Sequence, residues 1–171
     1  MKIEERCKSI ELIVSDVDGV LTNGGVWLDN EGIEAKQYHI RDGLGVKVWR
    51  KAGYRFGIIT GRNSQTVRLR SSELGIDVVR QGVEEKLSVA KDLLEQYGLS
   101  SDQLAYIGDD LPDLSVIRFC GLGVAVQDAA AEVREAAAYV TQAAGGQGAV
   151  RELVELILKA QGRWADIVRS F

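Results

Sequence analysis

Apolar residues in this chain gather in short runs, each followed by a longer stretch that reads as helix. Residues 12–14, 54–59, 76–79, 104–107 and 122–126 suit strands buried on both faces, with β-branched and aromatic residues and little alternation. The intervening segments, 44–53, 64–74, about 82–97, 114–119 and 129–137, read as helices. Asp42 is a candidate N-cap for the first. Gly53, Gly75 and Gly98 sit where a left-handed residue ends a helix. A short run at 139–141 and a helix over 149–160 complete the pattern. The regular alternation predicts an α/β protein with a doubly wound parallel sheet and right-handed crossovers.

One segment breaks the alternation. Residues 24–39 hold two β-rich runs around Asp29-Asn30-Glu31-Gly32, a turn with glycine late in the loop, which predicts a β-hairpin. It leaves the first strand beside Asp16 and Asp18 and is placed to act as a flap. A lone two-stranded hairpin is marginal in water. Trp27, Leu28, Ile33 and Tyr38 therefore need cover, which a partner subunit would supply. The tail, residues 162–171, carries Trp164, Ile167 and Phe171 and suits a last helix docked on this subunit or on another.

The length of 171 residues fits one domain over 1–171. A net charge of −4 argues against nucleic acid as the default partner. There is no apolar run of about 18 residues, so no membrane span is expected. Met1-Lys2-Ile3-Glu4-Glu5-Arg6 lacks the apolar centre of a signal peptide. Cys7 and Cys120 have neither metal-ligand nor redox spacing and read as unpaired thiols of a reducing compartment, which points to the cytoplasm. His39 is the only histidine, leaving little for a histidine-rich metal site or a Ser-His-Asp triad.

The chemistry gathers at strand ends, the ligand-binding edge of an open α/β sheet. Asp16-Val17-Asp18-Gly19 ends the first strand. An acidic turn is its plainer reading, but a second acidic cluster, Gly108-Asp109-Asp110-Leu111-Pro112-Asp113, ends another strand. Two such clusters are hard to explain by solvation. Thr60-Gly61 ends a third strand and opens a helix, where a hydroxyl and backbone N–H groups suit either a phosphate or a cap. Lys86 stands in a first helical turn against the helix dipole, as a solvated side chain or as a cation facing phosphate. Together these groups define phosphoryl transfer. Asp16 would be the nucleophile, giving an aspartyl-phosphate. A bare carboxylate repels a phosphate dianion, so Mg²⁺ is required, with Asp16 and Asp109 as side-chain ligands and the backbone carbonyl of Asp18 as a third. Asp110 or Asp113 would hold coordinated waters. Asp18 would protonate the leaving alkoxide and then activate water. Thr60 and Lys86 would hold the phosphoryl oxygens.

Asp16-Val17-Asp18-Gly19-Val20, Thr60, Lys86 and Gly108-Asp109-Asp110-x-x-Asp113, in that order, resemble the four motifs of the haloacid dehalogenase superfamily. The resemblance carries the same roles to Asp16, Asp18, Thr60, Lys86 and Asp109. It gives Asp113 the last acidic position and Asp110 support of the metal shell. The second aspartate marks the phosphatase branch. The gaps from Asp18 to Thr60 and from Thr60 to Lys86 are too short for a separate cap domain. The chain is similar throughout, from the first strand through 145–152 and Ala160-Gln161-Gly162, to the capless phosphatases of 3-deoxy-D-manno-octulosonate 8-phosphate (KDO 8-phosphate). That resemblance implies Mg²⁺-dependent hydrolysis of an acidic sugar phosphate in lipopolysaccharide precursor synthesis. It also implies a homotetramer with associated hairpins and sites closed by a neighbouring subunit. Arg62 resembles these octulosonate enzymes, whereas relatives acting on nine-carbon sialic-type sugar 9-phosphates carry Glu there. Gly61, Arg62, Arg70 and Lys86 form the expected phosphate- and substrate-binding set, and Arg41 and Arg68 are further candidates for the sugar carboxylate. Gln147 departs from the Arg or His that relatives often have. Two rival classes remain. A receiver-type phosphoacceptor domain phosphorylates an aspartate on a middle strand and has no counterpart of Asp18. A noncatalytic regulatory subunit would not need every catalytic position intact.

Overall fold

A computed structural model of the chain describes residues 2–171. In chain order the elements begin with α1 (Ile3–Lys8) and β1 (Leu12–Ser15), then the hairpin strands β2 (Trp27–Leu28) and β3 (Glu34–Ala35). α2 (Ile40–Lys51), β4 (Arg55–Ile59), α3 (Gln65–Leu74), β5 (Val78–Arg80), α4 (Lys86–Tyr97) and β6 (Leu104–Gly108) follow. The chain ends with α5 (Leu114–Phe119), β7 (Leu122–Ala125), α6 (Ala131–Ala136), β8 (Tyr139–Val140), α7 (Ala149–Ala160) and α8 (Trp164–Arg169). The main sheet runs β5-β4-β1-β6-β7-β8 with every pairing parallel. This is the doubly wound architecture the alternation predicts, and the short β2–β3 hairpin stands outside it without a cap domain. No helix among the described residues is long and apolar enough to cross a membrane.

β1 lies inside the sheet between β4 and β6, and all of it is buried. Leu12 to Ser15 pair with Arg55 to Ile58 on one side and with Leu104 to Ile107 on the other. α2, α3 and α7 cover one face and α4, α5 and α6 the other, as right-handed crossovers require. Trp49 of α2 is fully buried, donates its indole N–H to Arg55 O at 2.7 Å and stacks on Tyr54 with centroids 4.3 Å apart.

Several elements differ from the sequence expectation. The N-terminal segment forms α1, whose Cys7 is buried in the core. The hairpin strands are only two residues each, because Asp29 closes the turn with its side chain, accepting from Glu31 N and Ile33 N at 2.9 and 2.8 Å. α2 starts at Ile40, with His39 as its N-cap. Asp42 is therefore not that cap. It is 1% exposed and accepts from Gly148 N and Arg151 N at 3.2 and 2.8 Å, so it caps α7 across the structure. The tail helix α8 packs on its own chain, with Trp164 beneath the Arg151 and Lys159 cations and Arg163 over Tyr54, while Phe171 stays 80% exposed.

Candidate active site

From β1 the chain moves to β4 on one side, and from β6 it moves to β7 on the other. The loops leaving β1 and β6 therefore diverge, and a crevice opens where the strand order reverses. Asp16 N still belongs to the sheet, bonding Ile107 O at 3.1 Å. The chain then curls: Val20, Leu21 and Thr22 all donate backbone N–H to Val17 O, and Thr22 Oγ1 accepts from Gly19 N and Gly24 N. Gly19 sits at φ +87°, and a Cβ there would fall on the Asp109 carboxylate. Only glycine lets the two acidic loops meet.

The centre of the site is a buried charge cluster. Lys86, the first residue of α4, is 3% exposed and pairs with Asp16 Oδ2 and Asp113 Oδ1, both at 2.7 Å. Lys86 thus faces the site as a cation rather than solvent. Asp113 is fully buried. Its Oδ1 also accepts from Tyr106 Oη at 2.6 Å, and its Oδ2 accepts from Asp109 N and Asp110 N at 2.9 and 3.3 Å. Four donors saturate a carboxylate, so Asp113 organises the site and has no lone pair left for a ligand. Asp110 spends Oδ1 on Leu111 N at 2.8 Å.

Asp16, Asp109 and Asp113 bring carboxylate oxygens within 4.8 Å of one another. Burial, together with the negative charges of Asp113, Asp16 and Asp110, pushes the Asp109 carboxyl up to about 8. Burial and Asp113 push Asp16 up to about 6 against the opposing pull of Lys86. Burial beside Asp113 also raises Tyr106 well above its usual range, which keeps its hydroxyl a donor. Among the described residues, the Asp109 carboxylate has no hydrogen-bond donor and no paired cation. A donor-free carboxyl crowded against Asp16, whose charged form lacks a partner, fits a hard divalent cation held by oxygen ligands. Asp16 and Asp109 are the two side chains that would hold it.

The remaining expected residues separate into two groups. Asp16, Asp18, Thr60, Arg62, Lys86 and Asp109 line one cleft of about 560 Å³, with Gly61 in its wall. Thr60 is 2% exposed, and its backbone is pinned to Arg80 O and Val83 N. Arg70 is not brought to this cleft: it pairs with Glu73 at 2.7 Å and lies over the Tyr38 ring. Arg41 and Arg68 are exposed and line none of it, and Gln147 is exposed on the loop beside Gly19. Sequence reasoning missed Tyr106, Glu34 and Lys36. Lys36 pairs with Asp18 Oδ1 and, at 3.2 Å, with Glu34. Hydrogen bonds from Ser64, Arg62 and Lys36 hold the Glu34 carboxyl down at about 2. Tyr106 looked like strand filler, and only its place seven residues before Asp113 hinted at a polar partner. The flap residues carried no motif signal, because a hairpin's facing depends on how it folds back.

The sequence pattern of the haloacid dehalogenase-like hydrolases matches residues 67–153. The 3-deoxy-D-manno-octulosonate 8-phosphate phosphatase of Haemophilus influenzae is 40% identical over 161 residues, covering 94% of this chain and 89% of that one. Its counterpart in Escherichia coli K12 is 42% identical over 158 residues, covering 92% and 84%. Among solved structures, the Moraxella catarrhalis phosphatase of the same name, in complex with magnesium, phosphate and KDO, superposes with a TM-score of 0.97. It is 41% identical and is matched over 99% of this chain and 97% of that one. With this agreement of sequence, fold and acidic cleft, the chain belongs to the haloacid dehalogenase-like hydrolases, in the family of 3-deoxy-D-manno-octulosonate 8-phosphate phosphatases.

Proposed function

We propose that this protein hydrolyses KDO 8-phosphate to KDO and phosphate through a phosphoenzyme on Asp16. The observation that carries the chemistry is the cluster in which Lys86 binds Asp16 and Asp113 while Asp109 stands beside them, without a donor among the described residues. The sugar follows from relatives at 40–42% identity over more than nine-tenths of the chain.

Asp16 Oδ1 is held by Val17 N at 2.6 Å, and Oδ2 by Lys86. This fixes the carboxylate at the mouth of β1, which limits the reorientation that attack on phosphorus requires. Asp16 and Asp109 would hold Mg²⁺, which would supply the positive charge a phosphate dianion needs to approach a carboxylate. Thr60 and Lys86 offer donors to the phosphoryl oxygens, and Gly61 allows close backbone approach. Asp18 gives a proton to the departing sugar oxygen. It then takes one from the water that cleaves the acyl phosphate. Arg62, half exposed at the rim, is the cation offered to the sugar carboxylate. Asp18 stands two residues after a nucleophile on the first and central strand, an arrangement that favours turnover over a stable phosphoaspartate. The exposed apolar flap, with Trp27 65%, Leu28 62% and Ile33 61% exposed, supports the tetramer implied by the resemblance. The site is read as a cytoplasmic enzyme's, acting on a free sugar phosphate.

The experiment is phosphate release from KDO 8-phosphate, a nine-carbon sugar-acid 9-phosphate and hexose phosphates, with Mg²⁺ and with chelator. A preference in kcat/KM for the octulosonate, abolished by chelator, is expected. Preference for the nine-carbon acid would replace the substrate but keep the mechanism, and release from none would overturn both.

A further inference from the structure

The flap enters the site through one side chain. Lys36, next after β3, leaves only 1% of its side chain exposed. Its ammonium lies on Asp18 Oδ1 and on Glu34 Oε1. A buried ammonium requires charge partners to offset lost hydration, and these two carboxylates are its partners. Glu34 Oε1 also receives Arg62 Nη2 at 2.8 Å, which closes a ring of two cations and two anions. Arg62, 49% exposed, is the one member able to turn aside easily.

The two oxygens of Asp18 differ sharply. Oδ1 is held by Lys36, whereas Oδ2 is shut off from solvent and, among the described residues, accepts no hydrogen bond, with Arg62 Nε 3.9 Å away. An oxygen already bound to an ammonium is poorly placed to carry a proton, and one without a donor is open to it. We propose that Lys36 is a positioning residue for the acid/base: by tethering Oδ1 it makes Asp18 Oδ2 the oxygen that carries the proton. In the first step Asp16 forms the O–P bond, the bond to the sugar oxygen breaks, and the Oδ2 proton passes to that oxygen. In the second step water attacks phosphorus and gives its proton to Oδ2, and the acyl O–P pair returns to Asp16. The entering substrate displaces Arg62 to reach Oδ2, while Lys36 keeps its hold from the flap side.

The inference rests on the reading of Asp18 as acid/base, and its test is leaving-group dependence. Wild type, Lys36→Met, Lys36→Gln and Lys36→Arg, each loaded with Mg²⁺ and checked by a melting curve, are compared on KDO 8-phosphate and 4-nitrophenyl phosphate. The sugar leaves as an alkoxide and needs the proton, whereas nitrophenolate leaves without one. General acid catalysis is worth roughly 10²–10⁴-fold. The expected result is a loss in kcat/KM at least about tenfold larger on the sugar ester for Lys36→Met, with Lys36→Arg recovering most of it. Lys36→Gln is read the same way should Lys36→Met fail to fold. Equal losses on both esters, or none, would overturn the role of Lys36. A wild type active on the aryl ester but not on KDO 8-phosphate would instead sink the substrate assignment, and ribose 5-phosphate then serves as the alkyl ester.

Discussion

Asp113 holds together groups that would otherwise repel or drift: the Lys86 ammonium, the Tyr106 hydroxyl and the two N–H groups that begin the second acidic loop. By saturating itself, it leaves Asp16 and Asp109 as the carboxylates with chemistry to do. Asp16→Asn removes the nucleophile but keeps the shape, so turnover should fall by at least about 10⁴-fold while the variant still folds. Appreciable phosphate release by a clean preparation would remove Asp16 from that role. Gly19→Ala tests the meeting of the two loops. Its Cβ has no room beside the Asp109 carboxylate, and φ +87° costs an L-residue roughly 1–2 kcal/mol. The variant should bind Mg²⁺ at least about tenfold more weakly in a calorimetric titration, and unchanged affinity would show that Asp109 can move without consequence. That Asp16, Asp18, Lys86 and Asp109 come together in one cleft was legible from spacing, because loops that share a sheet edge meet there. Tyr106 and Lys36 were not, since neither strand filler nor a hairpin residue reveals its contacts in the sequence.

At the scale of elements, helix ends do much of the positioning. α4 begins at Lys86 itself, with Glu85 as the N-cap that accepts from Ser88 N. This turns the Lys86 side chain inward, and two carboxylates outweigh the unfavourable dipole there. α7 is started from outside, because Gly148 has no side chain to cap it and Asp42 of α2 supplies the carboxylate. The loop that α7 closes lies on the nucleophile loop: Gly146 N donates to Val20 O at 2.8 Å, and a Cβ at Gly145 would meet Gly19 O. Asp42→Ala should therefore cost about 1–3 kcal/mol by orphaning two N–H groups. That corresponds to roughly 2–4 °C of melting temperature per kcal/mol in a chain of this size. Asp42→Asn, which keeps an acceptor, should lose less, and equal melting of Asp42→Ala and wild type would rule out the cap. The sequence placed Asp42 at the wrong helix because a carboxylate just before an apolar stretch is the ordinary mark of a local N-cap. Nothing local distinguishes a cap that acts across the fold.

For the whole molecule, the consequence is a fold that crowds carboxyl groups at one edge, where their charged forms are costly. Asp109 and Asp16 have folded-state pKa values raised to about 8 and about 6. Between about pH 4 and pH 8 the metal-free fold therefore binds more protons than the unfolded chain does, and its stability falls as pH rises. Melting temperature in chelator should drop across that window, and Mg²⁺ should restore it most at the alkaline end. A flat profile in chelator, or no rescue by Mg²⁺, would contradict the assignment of these two carboxylates. The same edge explains why the flap matters, since Lys36 and Arg62 bring positive charge to it.

The sequence alone determined the alternation of strand and helix, the parallel sheet and the carboxylates at its edge. These follow from periodicity and from where a strand must end. Only the tertiary structure decided which side chains share a proton, a cation or a cap: Asp113 with Tyr106, Asp18 with Lys36, Asp42 with α7. Such contacts join residues 7, 18 and more than 100 positions apart. They depend on how loops and the hairpin fold back, which local patterning does not encode.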